Sequence, residues 1–326
     1  MSKDKSVANT LVIKDALFPH SHAQALWSAL QQRAPTLCAW LNSSHGTVRT
    51  HNPLVDRCTA LEHLLISQSG FKPDRHQAMS AGMALILALQ EDFWQQVPAN
   101  DPFWLVELVH ITPGREGASL LPARLLDIDP AESEALLESL LPYMEDTPFG
   151  FEPLSAHHWQ VTGDTPLAAP VATPELIFET TVQDWWDTSE TGRAWRQWAN
   201  EIQMLWFNHP VNHQRQRNNL RPINAVWLMG GAYGGQLPQA AQMANGGLFL
   251  PTVLTQLESS FKAQDWQQWL TDIETIDQEI ARITPQRIAF TGPDGYLLTE
   301  PSKPLHFLQR LLPSYKTGQE CWLNPF

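Results

Sequence analysis

Residues 208–232 read NHPVNHQRQRNNLRPINAVWLMGGA, and this stretch decides how the rest of the chain is read. Before it, residues 192–207 place Trp195, Trp198, Ile202, Leu205 and Trp206 at spacings of three and four, the stripe of an amphipathic helix that docks its aromatic side on a core. After the polar part, residues 224–229 form a short apolar run ahead of Gly230, Gly231, Gly234 and Gly235, which reads as a buried strand ending in a flexible loop. Pro210 and Pro222 favour extended backbone at His209 and Arg221, stiffening both ends of the polar segment. Inside it, Asn218 or Asn219 suits a left-handed position that stops a short helical turn.

The same segment concentrates side chains that suit a small anion. Arg215, Arg217 and Arg221 supply planar donors for carboxylate or phosphate, and Asn212 and Asn224 can orient them or bind directly. A bland use of the same residues, satisfying the backbone of a long crossover and capping its flanking elements, is equally well founded. His110 ends an apolar run ahead of Pro113-Gly114-Arg115, so His110 and Arg115 are candidates to face a pocket together with this block. The candidate ligand-binding set is therefore His209, Asn212, Arg215, Asn224, His110 and Arg115.

The order Asn208-His209-Pro210-Val211-Asn212, Arg215, Asn219, Pro222-Ile223-Asn224 and then an apolar strand resembles the archaeal type of cofactor-independent phosphoglycerate mutase. In that pattern a Gly usually stands where Asn219 does, and Asn serves the same backbone need. Over most of the chain there is a closer resemblance to bacterial regulatory proteins of the pathogenicity-factor (RpfE) type, often described as phosphoglycerate mutases. The segments that carry it are residues 104–111, 127–132, 151–161 and 208–232.

The resemblance implies a phosphoryl-transfer ancestry, and that chemistry needs Asp and His ligands for two divalent metals plus a Ser nucleophile. The start of the chain, Leu11-Val12-Ile13-Lys14-Asp15-Ala16, lacks the Asp-Gly-x-Gly-Asp signature of such a core, and after His213 the remaining His is His306. The expected fold is therefore α/β or α+β, with mixed sheets and packed helices, resembling the inserted domain of the mutases without the metallophosphatase body. The expected function is that of a non-catalytic small-anion-binding or regulatory protein, with no metal and no cofactor. A divergent mutase or phosphohydrolase and an interaction scaffold are the alternatives.

With 326 residues, 43% of them hydrophobic, the chain can bury one large or two moderate cores. A formal net charge of −13 argues against nucleic acid and anionic membranes, which are held by Lys and Arg. Partners expected instead are a small phosphorylated or carboxylate ligand, a protein partner or a second copy. Cys38, Cys58 and Cys321 form no CxxC pair and fit reduced thiols of a cytoplasmic protein. The apolar run 81–89 is too short to span a bilayer.

Along the chain, helices are expected at 21–33, 35–41, 59–69, 129–140, 251–261 and 264–283, with 80–89 either helix or strand. Strands are expected at 103–111, 118–121, 159–162, 287–291, 296–299 and 306–308, and 175–186 reads as strand then turn. The Pro-rich stretch 165–174 is the best linker, dividing an N-terminal α/β sub-domain (1–165) from a C-terminal one (174–326) that carries the polar block. The Trp residues read mainly as core and interface aromatics. His157-His158 and His20 with His22 lack the carboxylates or thiols of a metal site, and Asp127, Asp129, Glu132 and Glu134 read as a helix start.

Overall fold

The computed structural model describes residues 10–18, 20–91, 93–115, 117–145, 147–163, 167, 171–238, 251–302 and 316–326. It is a mixed α/β protein with two sheets. The chain forms two compact units, Met1–Asn52 with Phe249–Phe326, and Pro53–Leu248. The second unit is thus inserted in sequence within the first. The expected division at 165–174 does not match this: that stretch lies inside the second unit, because strands on both sides of it pair with one another.

In the first unit, β1 (Thr10–Ile13) pairs in parallel with β8 (Thr252–Leu254) and β9 (Arg287–Gly292). β10 (Gly295–Pro301) runs antiparallel between β9 and β2 (Ser44–Thr50), giving the order β2-β10-β9-β1-β8. All four residues of β1 are buried, which fits the continuous apolar run of a strand covered on both faces. Against this sheet pack α1 (His20–Arg33), α2 (Pro35–Ser43) and the helix Trp266–Ile283, the last burying Trp269, Ile273, Ile276 and Ile280 at helical spacing. Phe18 meets Trp269 edge to face at 4.7 Å. Asp277 on that helix accepts from the Leu37 backbone N–H at 2.7 Å, so a carboxylate distant in sequence satisfies the N-terminus of α2.

The second unit begins with α3 (Pro53–Asp56), α4 (Ala60–Gln68) and α5 (Ala81–Gln90). Its central strand is β3 (Phe103–Pro113), which turns back into β4 (Ala118–Leu121) as the sequence predicts, with Pro113 opposite Ala118. Then come α6 (Pro130–Glu138), α7 (Leu141–Met144), β5 (Gly150–Pro153) and β6 (His158–Thr162). α8 (Pro174–Glu179), α9 (Val182–Trp185), α10 (Arg193–Phe207), α11 (Pro210–Arg217) and β7 (Ala225–Ala232) complete it. β3 pairs antiparallel with β4, β6 and β7, and β5 pairs with β6. Gly230 sits at φ 109, and a Cβ there would meet the Phe103 carbonyl oxygen at 2.6 Å where the β3–β7 register shifts.

The Asp129 cap forms the expected capping box with Glu132, and α10 turns Trp198, Ile202 and Trp206 into the core. Residues 174–179 and 182–185 are helical rather than strand, with Thr173 capping α8 through the Leu176 N–H and Pro174 in its first turn. Residues 252–254 are strand rather than helix start, drawn into the sheet by parallel pairing with β1. The strands β2 and β5 were not anticipated, and the strand expected at 306–308 lies outside the described residues. Among the described residues, no helix is long and apolar enough to cross a membrane.

Candidate functional site

The polar block forms a crossover from α10 to β7 at one end of the second unit's sheet. His209 adopts extended backbone as the N-cap of α11, with Pro210 following, and its Nδ1 accepts from the Val211 N–H at 3.3 Å. α11 ends where Asn219 takes φ 59, the left-handed position expected of Asn218 or Asn219. The Leu220 N–H then closes the turn onto the Arg215 carbonyl at 2.8 Å.

Arg215 is fully buried, and all three of its guanidinium nitrogens are engaged within the chain. Nε donates to the Arg221 carbonyl at 2.7 Å. Nη1 donates to the Asp127 carbonyl at 3.3 Å and to the Glu132 carboxylate, and Nη2 donates to the Leu126 carbonyl. The fork thereby ties the crossover to the start of α6, where Asp127 holds φ 49.

Asn212 is equally committed. Its amide donates to the Trp206 and Ile223 carbonyls at 2.9 and 2.8 Å, while its oxygen accepts from the Ile223 N–H at 2.8 Å. One side chain so joins the end of α10 to the start of β7. Asn224 pairs with both backbone groups of Ile111, accepting from the N–H at 2.8 Å and donating to the carbonyl at 2.9 Å, and so prolongs the β3–β7 ladder with a side-chain amide.

Of the six residues singled out from sequence, Asn212, Arg215, Asn224 and His209 share this crossover, and their hydrogen bonds are largely spent on their own backbone. His110 stands beside them. It is buried on β3, its Nε2 lies 2.5 Å from the Thr112 hydroxyl, and its Nδ1 is buried with no hydrogen bond of normal geometry. Burial is the largest influence on its pKa and lowers it; the nearby Pro222 carbonyl favours a proton, and the charges of Arg221 and Arg215 oppose one. Arg115 departs from the expectation: it is exposed in the turn between β3 and β4, which projects beyond the end of the crossover ladder.

Two buried acids escaped the sequence reading. Glu107 on β3 accepts from the Ala123 N–H at 2.7 Å and lies 3.3 Å from Nε2 of His158, its register neighbour on β6. A lone acid inside the apolar run WLVELV was the available signal. Glu62 closes the capping box of α4 and also accepts from the Thr173 hydroxyl at 2.7 Å. Burial first, then the charge of Glu175, raises its pKa to about 7. Among the described residues, no group of three or more His, Cys, Asp or Glu side chains is placed to hold a metal ion. At the end of β1, Asp15 adopts φ 58 and its carbonyl accepts from Trp269 Nε1 at 3.1 Å.

No family model matches the chain, and no curated protein matches it. Solved structures do. The chain is similar to a cofactor-independent phosphoglycerate mutase from Thermoplasma acidophilum DSM 1728 at 14% identity and a TM-score of 0.36, over 91% of this chain and 90% of that one. It is also similar to the PH0037 protein from Pyrococcus horikoshii at 11% identity and a TM-score of 0.44, over 90% of this chain and 88% of that one. Both likenesses are distant.

Proposed function

We propose that the chain is a phosphoglycerate-mutase-related regulatory protein of the cytoplasm that binds a small phosphorylated or carboxylate anion without transferring a phosphoryl group. The relationship rests on the ordered pattern of residues 208–224, not on the shape comparisons. Three buried thiols, Cys38, Cys58 and Cys321, suit a reducing compartment.

The observation that carries the binding reading is His110. It offers a buried Nδ1 with no hydrogen bond of normal geometry, near the Pro222 carbonyl and in the positive field of Arg221, whose own side chain is exposed. An anion received there would gain a charge-assisted contact from Arg221 and a hydrogen bond from the imidazole. Arg215 and Asn212 would act from behind as the frame that holds Arg221 and Pro222 in place.

Calorimetric titration with inorganic phosphate and 3-phosphoglycerate, paired with NMR of the His110 ring, tests this. Binding should raise the His110 pKa, and Arg221→Ala should weaken it by ~10-fold, the scale of one charged hydrogen bond. Absence of both heat and ring shifts in the wild type removes the binding reading. Metal-dependent turnover of 3-phosphoglycerate would instead overturn the non-catalytic half of it.

A second reading, an interaction surface for a partner or a second copy, is favoured by Met204 and Phe207. They are 77% and 76% exposed one helical turn apart on α10. Sedimentation of the wild type against Met204→Lys/Phe207→Lys reads this out. An unchanged monomer in both removes self-association.

A further inference from the structure

Away from the crossover, the second unit carries a groove between α6 and the turn joining β5 to β6, with a volume of about 350 Å³. By contrast, the void lined by Trp185, Trp186, Trp195 and Trp227 holds only about 40 Å³, too little for an organic ligand. The groove falls at the lower end of the ~300–1,000 Å³ range of small-molecule sites.

Its α6 wall follows helical periodicity. Leu137 alternates with Glu134 and Glu138, and Leu141 at the start of α7 continues the same face, so the groove presents an apolar strip edged by two carboxylates one turn apart. Trp159 lies fully buried beneath the floor, fixed by donation from its Nε1 to the Ser133 hydroxyl at 3.0 Å. Ala156 lines the opposite wall.

Three features, two of the groove and one of the whole chain, call for the same kind of ligand. Neither Glu134 nor Glu138 has an ion pair among the described residues, and like charges at this spacing repel. Leu141 leaves 54% of its surface in water. The whole chain carries a formal charge of −13, which draws cations towards its surface. A ligand with one positive end and an apolar body answers all three at once, because its charge bridges the two carboxylates while its body covers Leu137 and Leu141.

We infer that this groove binds a small organic ammonium: a primary amine carried on an apolar chain or ring. The site does not depend on the anion reading and shares no residue with it. The ammonium lies at the rim beside Glu134 and Glu138, and the apolar body lies along the floor. Binding weakens with added salt, since the carboxylates are exposed.

Phenethylamine and hexylamine are the probes, with 2-phenylethanol as the uncharged control, titrated by calorimetry at low ionic strength. Both amines should bind saturably, the alcohol ~10-fold or more weakly. Glu134→Gln/Glu138→Gln should erase that preference, and Ala156→Phe should block the groove and abolish binding, each with thermal unfolding unchanged. Phosphate binding to the same variants stays at the wild-type level, which separates this site from the crossover. Equal affinity for amine and alcohol, indifference to the double substitution, or no saturable binding of either amine overturns the assignment.

Discussion

The two units solve the problem of holding a sheet in opposite ways. The first joins segments from the two ends of the chain in parallel, Leu11 standing opposite both Thr252 and Ile288, and seals them with apolar packing around Phe18, Trp269 and Trp322. The second pairs its strands antiparallel and buries Glu62, Glu107, His110, His158, Asn212 and Arg215. The first unit buries Lys14 and Asp277 as well, but the second sets Asn212 and Arg215 together on one crossover; buried polar groups are costly unless satisfied, so there the second unit depends on hydrogen-bond geometry as well as on packing. Its long crossover explains why: a connection with little regular pairing leaves carbonyls at Trp206, Arg221 and Ile223 that side chains must satisfy.

Breaking that dependence gives the largest expected effect. Arg215→Ala strips a buried fork from three carbonyls and from Glu132, and removal of one partner from a buried ion pair costs about 3–5 kcal/mol. Chemical denaturation should show that loss, and hydrogen exchange should show β3 and β7 losing protection. Arg215→Lys should recover only part of it, because an ammonium cannot span the Arg221 and Leu126 carbonyls together. If the alanine variant is as stable as wild type, the crossover is not held by this side chain.

Asn212→Ala probes the same frame with a smaller loss. It leaves the N–H and carbonyl of Ile223 without their partner, while the Trp206 carbonyl keeps the His209 N–H, at about 1–3 kcal/mol for buried groups left unsatisfied. Asn212→Asp is the sharper version, since it keeps one acceptor for the Ile223 N–H but sets a charge against two carbonyls. The aspartate variant should therefore be no more stable than the alanine one at neutral pH. A rescue by aspartate would mean that only the acceptor matters.

How much of this was legible follows from the same contrast. Elements whose signals are local were readable: the Asp129–Glu132 box, the Trp stripe of α10, the β3–β4 hairpin and the left-handed Asn219. Pairings between distant segments were not. β8 looks like the start of a helix until β1 pairs with it, and no local pattern announces that β2 lies beside β10. Neither does a local pattern say that both chain ends build one unit around an insertion. At the candidate site the sequence picked out residues that share one crossover, His209, Asn212, Arg215 and Asn224, and left their use open between ligand and scaffold. The bonding of Arg215 and Asn212 favours scaffold for those two, while Arg115 fell outside because a hairpin turn carries it away.

The dependence on polar geometry also makes the second unit sensitive to pH through Glu62. Its folded pKa, about 7, lies above the ordinary 4.5 because burial and Glu175 disfavour the charge. A proton therefore binds the folded state more tightly than the unfolded one. The resulting stability is fully present below pH 4.5 and is lost as pH rises through about 7. Wild type should gain roughly 1–2 kcal/mol over Glu62→Gln on going from pH 8 to 5, a conservative share of 1.36 kcal/mol per unit. The glutamine still accepts from Thr59 and Thr173, so parallel pH profiles for the two proteins would deny Glu62 this role.

The smallest effect belongs to the first unit. There the helix Gly318–Leu323 is opened by a Thr317–Glu320 capping box, with the Glu320 N–H donating to the Thr317 hydroxyl at 3.2 Å. The cap is exposed, so water replaces the lost hydroxyl, and Thr317→Ala should cost only about 1 kcal/mol. Yet this helix carries Trp322, whose Nε1 donates to the Ala16 carbonyl at 3.0 Å within the aromatic core. A loss near 1 kcal/mol, with Trp322 still protected from quenching, fits a unit held by packing that tolerates a missing cap. A loss as large as that of Arg215→Ala would show that the first unit too hangs on a single polar clasp, and the contrast between the two would fall.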